Sequence, residues 1–220
     1  MDRDKIFLPQ NTVIVCDLHG VVFSSSIRQI MRVVWQCPHK VRFLRLITDI
    51  PLACKILYGV RKKYVIERMI HEFSGTHALF NQFKDIALAV ANAQKVDKKT
   101  VTLLERLKQN NYQLIAFSNI GQESIGILKE RHPAIFNLFD HVVHTSVQDN
   151  FVAKPDIRAF EKLFACLKDT HTNVIFIDDA RKNLEQSREL GLYPLKFKNA
   201  CSLERALVRL HILTQTRSNR

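Results

Sequence analysis

The sequence predicts an α/β fold: a Rossmann-like doubly wound parallel sheet, interrupted early by an all-helical insert. Three observations predict it. Short apolar runs at residues 13–16, 112–117 and 174–177 each end abruptly on polar residues, as buried strands do. From residue 112 onward such runs alternate with amphipathic patterns, the rhythm of a parallel sheet covered on both faces. Between the first run and the second, the pattern is mostly helical.

The first strand, 13–16, runs into Asp17 and reaches Gly20 three residues later, as a strand does when it delivers a side chain to the carboxyl edge of a sheet. Apolar residues spaced three and four apart then mark helices at 27–35 and 65–73, the second stopped by Ser74-Gly75. Asp97 is placed to cap a helix carrying Val101, Leu103, Leu104 and Leu107, which leads to the strand 112–117. A turn at 118–121, a helix at 125–131 and a short strand at 142–143 follow. A helix at 157–167 leads to the strand 174–177, closed by Asp178-Asp179. A helix at 184–190 stops at Gly191, and a strand at 194–197 and a helix at 203–213 complete the domain; residues 214–220 are expected to fray. The expected division is a core of residues 1–21 and 95–220 with a helical insert at 22–94.

Composition bounds the function. With 220 residues, 46% of them hydrophobic, the chain can bury one good core plus a smaller insert. Thirty-three Lys and Arg against 21 Asp and Glu give +12, which favours an anionic partner. Within 22–94 there are eleven basic residues against four acidic ones, densest at Arg61-Lys62-Lys63. Three adjacent charges are too few for a nucleic-acid patch, so a nucleic-acid partner is not expected. Cys16, Cys37, Cys54, Cys166 and Cys201 are an odd number at wide spacing without CxxC, which points away from a disulfide framework or a thiolate zinc site and toward a reducing, cytoplasmic compartment. No signal peptide or transmembrane run is apparent, and a soluble protein is expected. The histidines show no HExxH spacing. Cys16 has no arginine closer downstream than Arg28, so it reads as core rather than as a phosphatase thiolate.

Three strands end in polar groups: Asp17, Ser118-Asn119 and Asp178-Asp179. Lys154 stands just before a helix. Carboxyl ends of parallel strands share one edge, so these groups can converge. Asp17, Asp178 and Asp179 can hold a hard divalent cation such as Mg²⁺. The cation and Lys154 would screen a phosphate's charge while the Asp17 carboxylate attacks phosphorus, and Ser118 with the backbone around Asn119 could hydrogen-bond the equatorial oxygens.

In this order the motifs resemble those of the haloacid dehalogenase superfamily, mostly magnesium-dependent phosphohydrolases, across nearly the whole chain. Asp17 matches the first motif, Ser118 the second, Lys154 the third, and Asp178-Asp179 with Asn183 the fourth. The resemblance implies a Mg²⁺-dependent phosphomonoester hydrolase with an aspartyl-phosphate intermediate, and a helical cap at 22–94 that covers the site and selects substrates. It assigns catalysis to Asp17, His19, Ser118 and Lys154, substrate binding to Ser118, Asn119 and Lys154, and the metal to Asp17, the backbone carbonyl of His19, Asp178 and Asp179. Asp179 is expected as the direct ligand, with Asp178 supporting Lys154 or a metal-bound water; Asn183 could brace the loop or touch the metal.

One position departs from the family. Two residues after the nucleophile its phosphatases usually carry an acid-base aspartate, and this chain has His19. Imidazolium can still donate a proton and imidazole accept one near neutrality. Because tyrosine's hydroxyl has a pKa of only about 10, a phenolate leaving group needs a proton less than an alkoxide. The expected favoured substrates are therefore aryl phosphates, phosphotyrosine in a phosphoprotein among them, which would make this a protein tyrosine phosphatase. Two other readings stand beside it: a catalytically weak member whose basic cap binds a phosphoprotein or acidic membrane surface, and a haloacid dehalogenase, against which the Asp178-Asp179 pair argues.

Overall fold

The structure is a computed structural model that describes residues 6–24, 28, 32, 35, 68, 71, 72, 93–168 and 170–215. The strands are β1 (Thr12–Cys16), β2 (Phe23–Ser24), β3 (Lys95–Val96), β4 (Gln113–Gly121), β5 (His141–Thr145), β6 (Asn173–Asp178) and β7 (Tyr193–Lys196). The helices are α1 (Lys98–Gln109), α2 (Gln122–Arg131), α3 (Pro133–Phe136), α4 (Ile157–Phe164), α5 (Arg181–Glu189) and α6 (Ala200–Arg209). Five strands form one sheet in the order β5-β4-β1-β6-β7, with every neighbouring pair parallel. This is the doubly wound α/β architecture that the alternation predicts.

Strand side chains alternate between the two faces, so each strand feeds two cores. Ile14, Cys16, Leu114, Ala116, Ile175 and Ile177 pack with Leu104 and Leu107 of α1, Leu128 of α2 and Leu207 of α6. Val13, Val15, Ile115, Phe117 and Phe176 pack on the other face with Phe160 and Leu163 of α4 and Leu184 of α5. There Phe160 meets Phe117 edge-on at 5.2 Å and Phe176 at 5.8 Å. Cys16 lies fully inside, and burial, reinforced by the neighbouring Asp17, raises its thiol pKa strongly. It is core, as read from the sequence.

The predicted turn at 118–121 is corrected: β4 runs on to Gly121, with a register shift after Phe117. Phe117 pairs with Val143 and Gly121 with Thr145, so the residues between them on β4 outnumber those on β5 and must leave the ladder. The helix expected over 157–167 ends at Phe164, and the one expected over 184–190 begins earlier, at Arg181. Asp97 caps α1 as predicted, accepting from the amides of Lys99 and Thr100 at 3.0 and 3.2 Å.

Short β2 and β3 pair antiparallel, Phe23 with Val96 and Ser24 with Lys95. The predicted helices at 27–35 and 65–73 and the cluster Arg61-Lys62-Lys63 lie outside the described residues, save Arg28, Arg32, Trp35, Arg68, His71 and Glu72, which are helical. Residues 216–220 also lie outside them. No helix among the described residues is long and apolar enough to cross a membrane.

Candidate active site

Sheet register creates the site. Cys16 is level with Ala116 on β4 and Ile177 on β6, so Asp17, Phe117 and Asp178 emerge side by side at the carboxyl edge. The Asp17 amide donates to the Ile177 carbonyl at 2.9 Å, which carries the ladder to Asp17 itself.

Lys154 is the hub. Its buried ammonium donates to the Phe117 carbonyl at 2.6 Å and to Asp178 Oδ2 at 2.8 Å, and lies 3.2 Å from Asp17 Oδ1. The rings of Phe117 and Phe176 stand 4.9 and 5.3 Å from it. Burial pulls its pKa down, but the charges of Asp17 and Asp178 outweigh burial and the net shift is upward, so Lys154 stays protonated. Its backbone is held as firmly, since Asn119 Oδ1 accepts from the Lys154 amide at 2.7 Å and Asn119 Nδ2 donates to its carbonyl at 2.9 Å. The Asn119 side chain thus serves to fix Lys154, while the phosphate contact expected at this position is one of the backbone around it. Upstream, Asp149 organises the loop by accepting from the amides of Ser146 and Val152 at 3.2 and 3.1 Å and from the ammonium of Lys162.

Burial pushes the Asp17 carboxyl up to about 6, with Asp178 adding to the rise while Lys154 and the Leu18 amide, 2.8 Å from Oδ1, hold it down. Asp178 is fully buried and saturated: besides Lys154 it accepts from the Ala180 amide at 2.7 Å, and Asn183 Nδ2 donates to its two oxygens at 3.1 and 3.0 Å. Asn183 therefore braces Asp178. Asp179 is exposed, and it, Asp17 and Asp178 each present a carboxylate oxygen within 4.8 Å of the others. Asp17 and Asp179, hard oxygen donors backed by the adjacent charge of Asp178, suit a hard divalent cation.

A missing side chain at Gly20 makes room for this cluster. Its φ of +89° is a left-handed conformation, and a Cβ there would stand 2.5 Å from Asp179 Oδ2. Gly20→Ala is therefore expected to cost about 1–3 kcal/mol in backbone strain and to displace Asp179. Thermal melts check it: the variant should melt lower than wild type.

Ser118 is buried at the same edge, where its Oγ accepts from the Ile120 amide at 3.4 Å. His19 is exposed, its Nδ1 3.4 Å from Gln94 Oε1. Asp17, Lys154 and Asp178 are in direct contact and Asp179 joins them through the carboxylate cluster; Ser118 and His19 flank them without contacting the Asp17 carboxylate. Sequence reasoning missed the parts played by Gly20, Gln94 and Asp149. Only Gly20 carried a signal, as a glycine just past a strand-ending aspartate.

The family model for haloacid dehalogenase-like hydrolases matches residues 12–189. This chain belongs to the haloacid dehalogenase-like hydrolase family. The match takes in every one of the site residues above. Among solved structures, the chain is similar to a haloacid dehalogenase family enzyme from Bacteroides thetaiotaomicron, with 18% identity, 89% of this chain and 95% of that chain covered, and a TM-score of 0.60. That enzyme has also been solved in complex with magnesium. A predicted hydrolase of the same family from Porphyromonas gingivalis gives 21% identity, 93% and 100% coverage and a TM-score of 0.60. The L-2-haloacid dehalogenase of Xanthobacter autotrophicus gives 15%, 93%, 85% and 0.56. Likeness at these identities establishes the hydrolase fold that the parallel sheet displays.

Proposed function

We propose that this hydrolase is a Mg²⁺-dependent phosphomonoesterase working through an aspartyl-phosphate on Asp17, with aryl phosphates, phosphotyrosine in particular, as its favoured substrates. The observation that carries the reading is the convergence of the Asp17, Asp178 and Asp179 carboxylates, with Lys154 paired to the first two. A bound Mg²⁺, held by Asp17, Asp179 and the His19 carbonyl with the fully hydrogen-bonded Asp178 behind them, would compensate the charge of a phosphate dianion; carbon–halogen chemistry on the same aspartate needs no such compensation. That difference favours phosphoryl transfer over dehalogenation.

The chain's residues then divide the work. Lys154 keeps Asp17 ionised and screens the incoming phosphate. Ser118 Oγ and the amides of the bulged segment after it donate to the phosphoryl oxygens. An Asp17 oxygen bonds to phosphorus as the bond to the leaving oxygen breaks; that oxygen keeps the electron pair and takes a proton from the His19 imidazolium. Water then attacks phosphorus, His19 accepts its proton, and phosphate and the free Asp17 carboxylate are released. Residues 22–94, tied to the core by the β2–β3 ribbon, form the cap in this reading, and their positive charge favours an anionic substrate.

A well-placed general acid is worth about 10²–10⁴ in rate, and the gain is greatest for poor leaving groups. With His19 at that position, phosphotyrosine peptides should be hydrolysed at least about tenfold faster than phosphoserine peptides of matched sequence. Steady-state assays in Mg²⁺, repeated in EDTA, test both halves. Equal rates on the two peptides would contradict the aryl preference, and full activity in EDTA would contradict the cation requirement.

A further inference from the structure

Asp178 and Asp179 are chain neighbours in opposite circumstances. Four hydrogen bonds, from Lys154, Ala180 and Asn183, fix the Asp178 carboxylate. The Asp179 carboxylate is exposed and takes no hydrogen bond from the described residues. It fits into the space beside Gly20, so its orientation depends on where its own backbone is held.

Two tethers hold the backbone around it. The Phe197 amide donates to the Asp178 carbonyl at 2.9 Å, and the Ala180 amide reaches Asp178 Oδ1 at 2.7 Å. A third acts on Asp179 itself: the ammonium of Lys196 donates to the Asp179 carbonyl. Lys196 ends β7 directly opposite Asp178 in the sheet, which brings its side chain within reach of the next residue along. It is exposed, so it has no packing role in either core.

We infer that Lys196 is a positioning residue for Asp179: by pinning the Asp179 carbonyl it keeps the carboxylate turned toward Gly20 and Asp17, and so sets the affinity of the cluster for a divalent cation. The inference rests on the cation reading proposed above. Its sign makes it testable. An ammonium beside a cation site repels the cation, so if Lys196 acted through charge alone, removing it would tighten binding. Positioning demands the opposite.

Calorimetric titration of the full chain with MgCl₂ decides between them. Outer-shell partners of metal ligands are typically worth about 10–100-fold in affinity, so Lys196→Met should weaken Mg²⁺ binding by about tenfold or more. Lys196→Arg, which keeps a donor and the charge, should restore most of it. Cation-free melting temperatures of both variants should match wild type, because the side chain lies outside both cores. Binding by Lys196→Met that equals or exceeds wild type would overturn the inference and leave the cation reading standing. A wild-type chain that takes up no Mg²⁺ would overturn both.

Discussion

Asp17→Asn should abolish turnover of an aryl phosphate, lowering kcat by about 10⁴-fold or more, the scale on which removal of a principal catalytic side chain acts. Asparagine keeps the shape and lets the Leu18 amide keep its acceptor, so the fold should persist. Stability is expected to change little, because two effects oppose. The substitution removes one buried carboxylate from beside Asp178, and it also takes one of the two negative partners from Lys154. Circular dichroism and a melt beside the kinetic assay separate lost chemistry from lost structure. Unimpaired kcat in a folded Asp17→Asn protein would mean that the hydrolytic nucleophile lies elsewhere.

Lys154→Met should have the largest effect on stability. The substitution preserves the apolar stem but leaves Asp17 and Asp178 buried together without their cation, and breaking a buried charge set by removing one partner costs about 3–5 kcal/mol. For a chain of this size that corresponds to a fall of roughly 6–20 °C in Tm. The pH dependence has a definite sign. Without Lys154 at least one carboxyl has a folded pKa raised above its unfolded value, so the cost is present above that folded pKa and relieved as pH falls through it. The Tm gap between variant and wild type should therefore narrow toward acid. A gap that widens toward acid would contradict the electrostatic account of the hub.

How legible this was in the sequence depends on what each feature rests upon. The central strands β1, β4 and β6 are buried on both faces and announce themselves as apolar runs, and the aspartates that close β1 and β6 mark the edge where chemistry collects. Lys154 could be placed because a lysine before a helix fits the same edge. The β2–β3 ribbon could not, since two-residue strands carry no periodicity. The segment 118–121 was misread because its polar residues look like a turn, whereas the parallel partner β5 holds both ends of a bulge. For Asn183 the sequence offered both a bracing and a metal-touching role, and its bonds to Asp178 show the first; the bonds of the Asn119 side chain to the Lys154 backbone had no signal in the sequence. Lys196, Gln94 and Asp149 act through backbone carbonyls, amides or single distant partners, and such contacts leave no pattern in a sequence.

The central claim is that Asp17 carries the phosphoryl group. It is tested most directly by quenching the protein in acid during turnover of an aryl phosphate with Mg²⁺, reducing it with borohydride and mapping the product by mass spectrometry. The account predicts that Asp17, alone among the carboxylates, is converted to homoserine, in a substrate-dependent manner. Steady turnover with Asp17 unmodified, or with the reduction mapping to another residue, would contradict it.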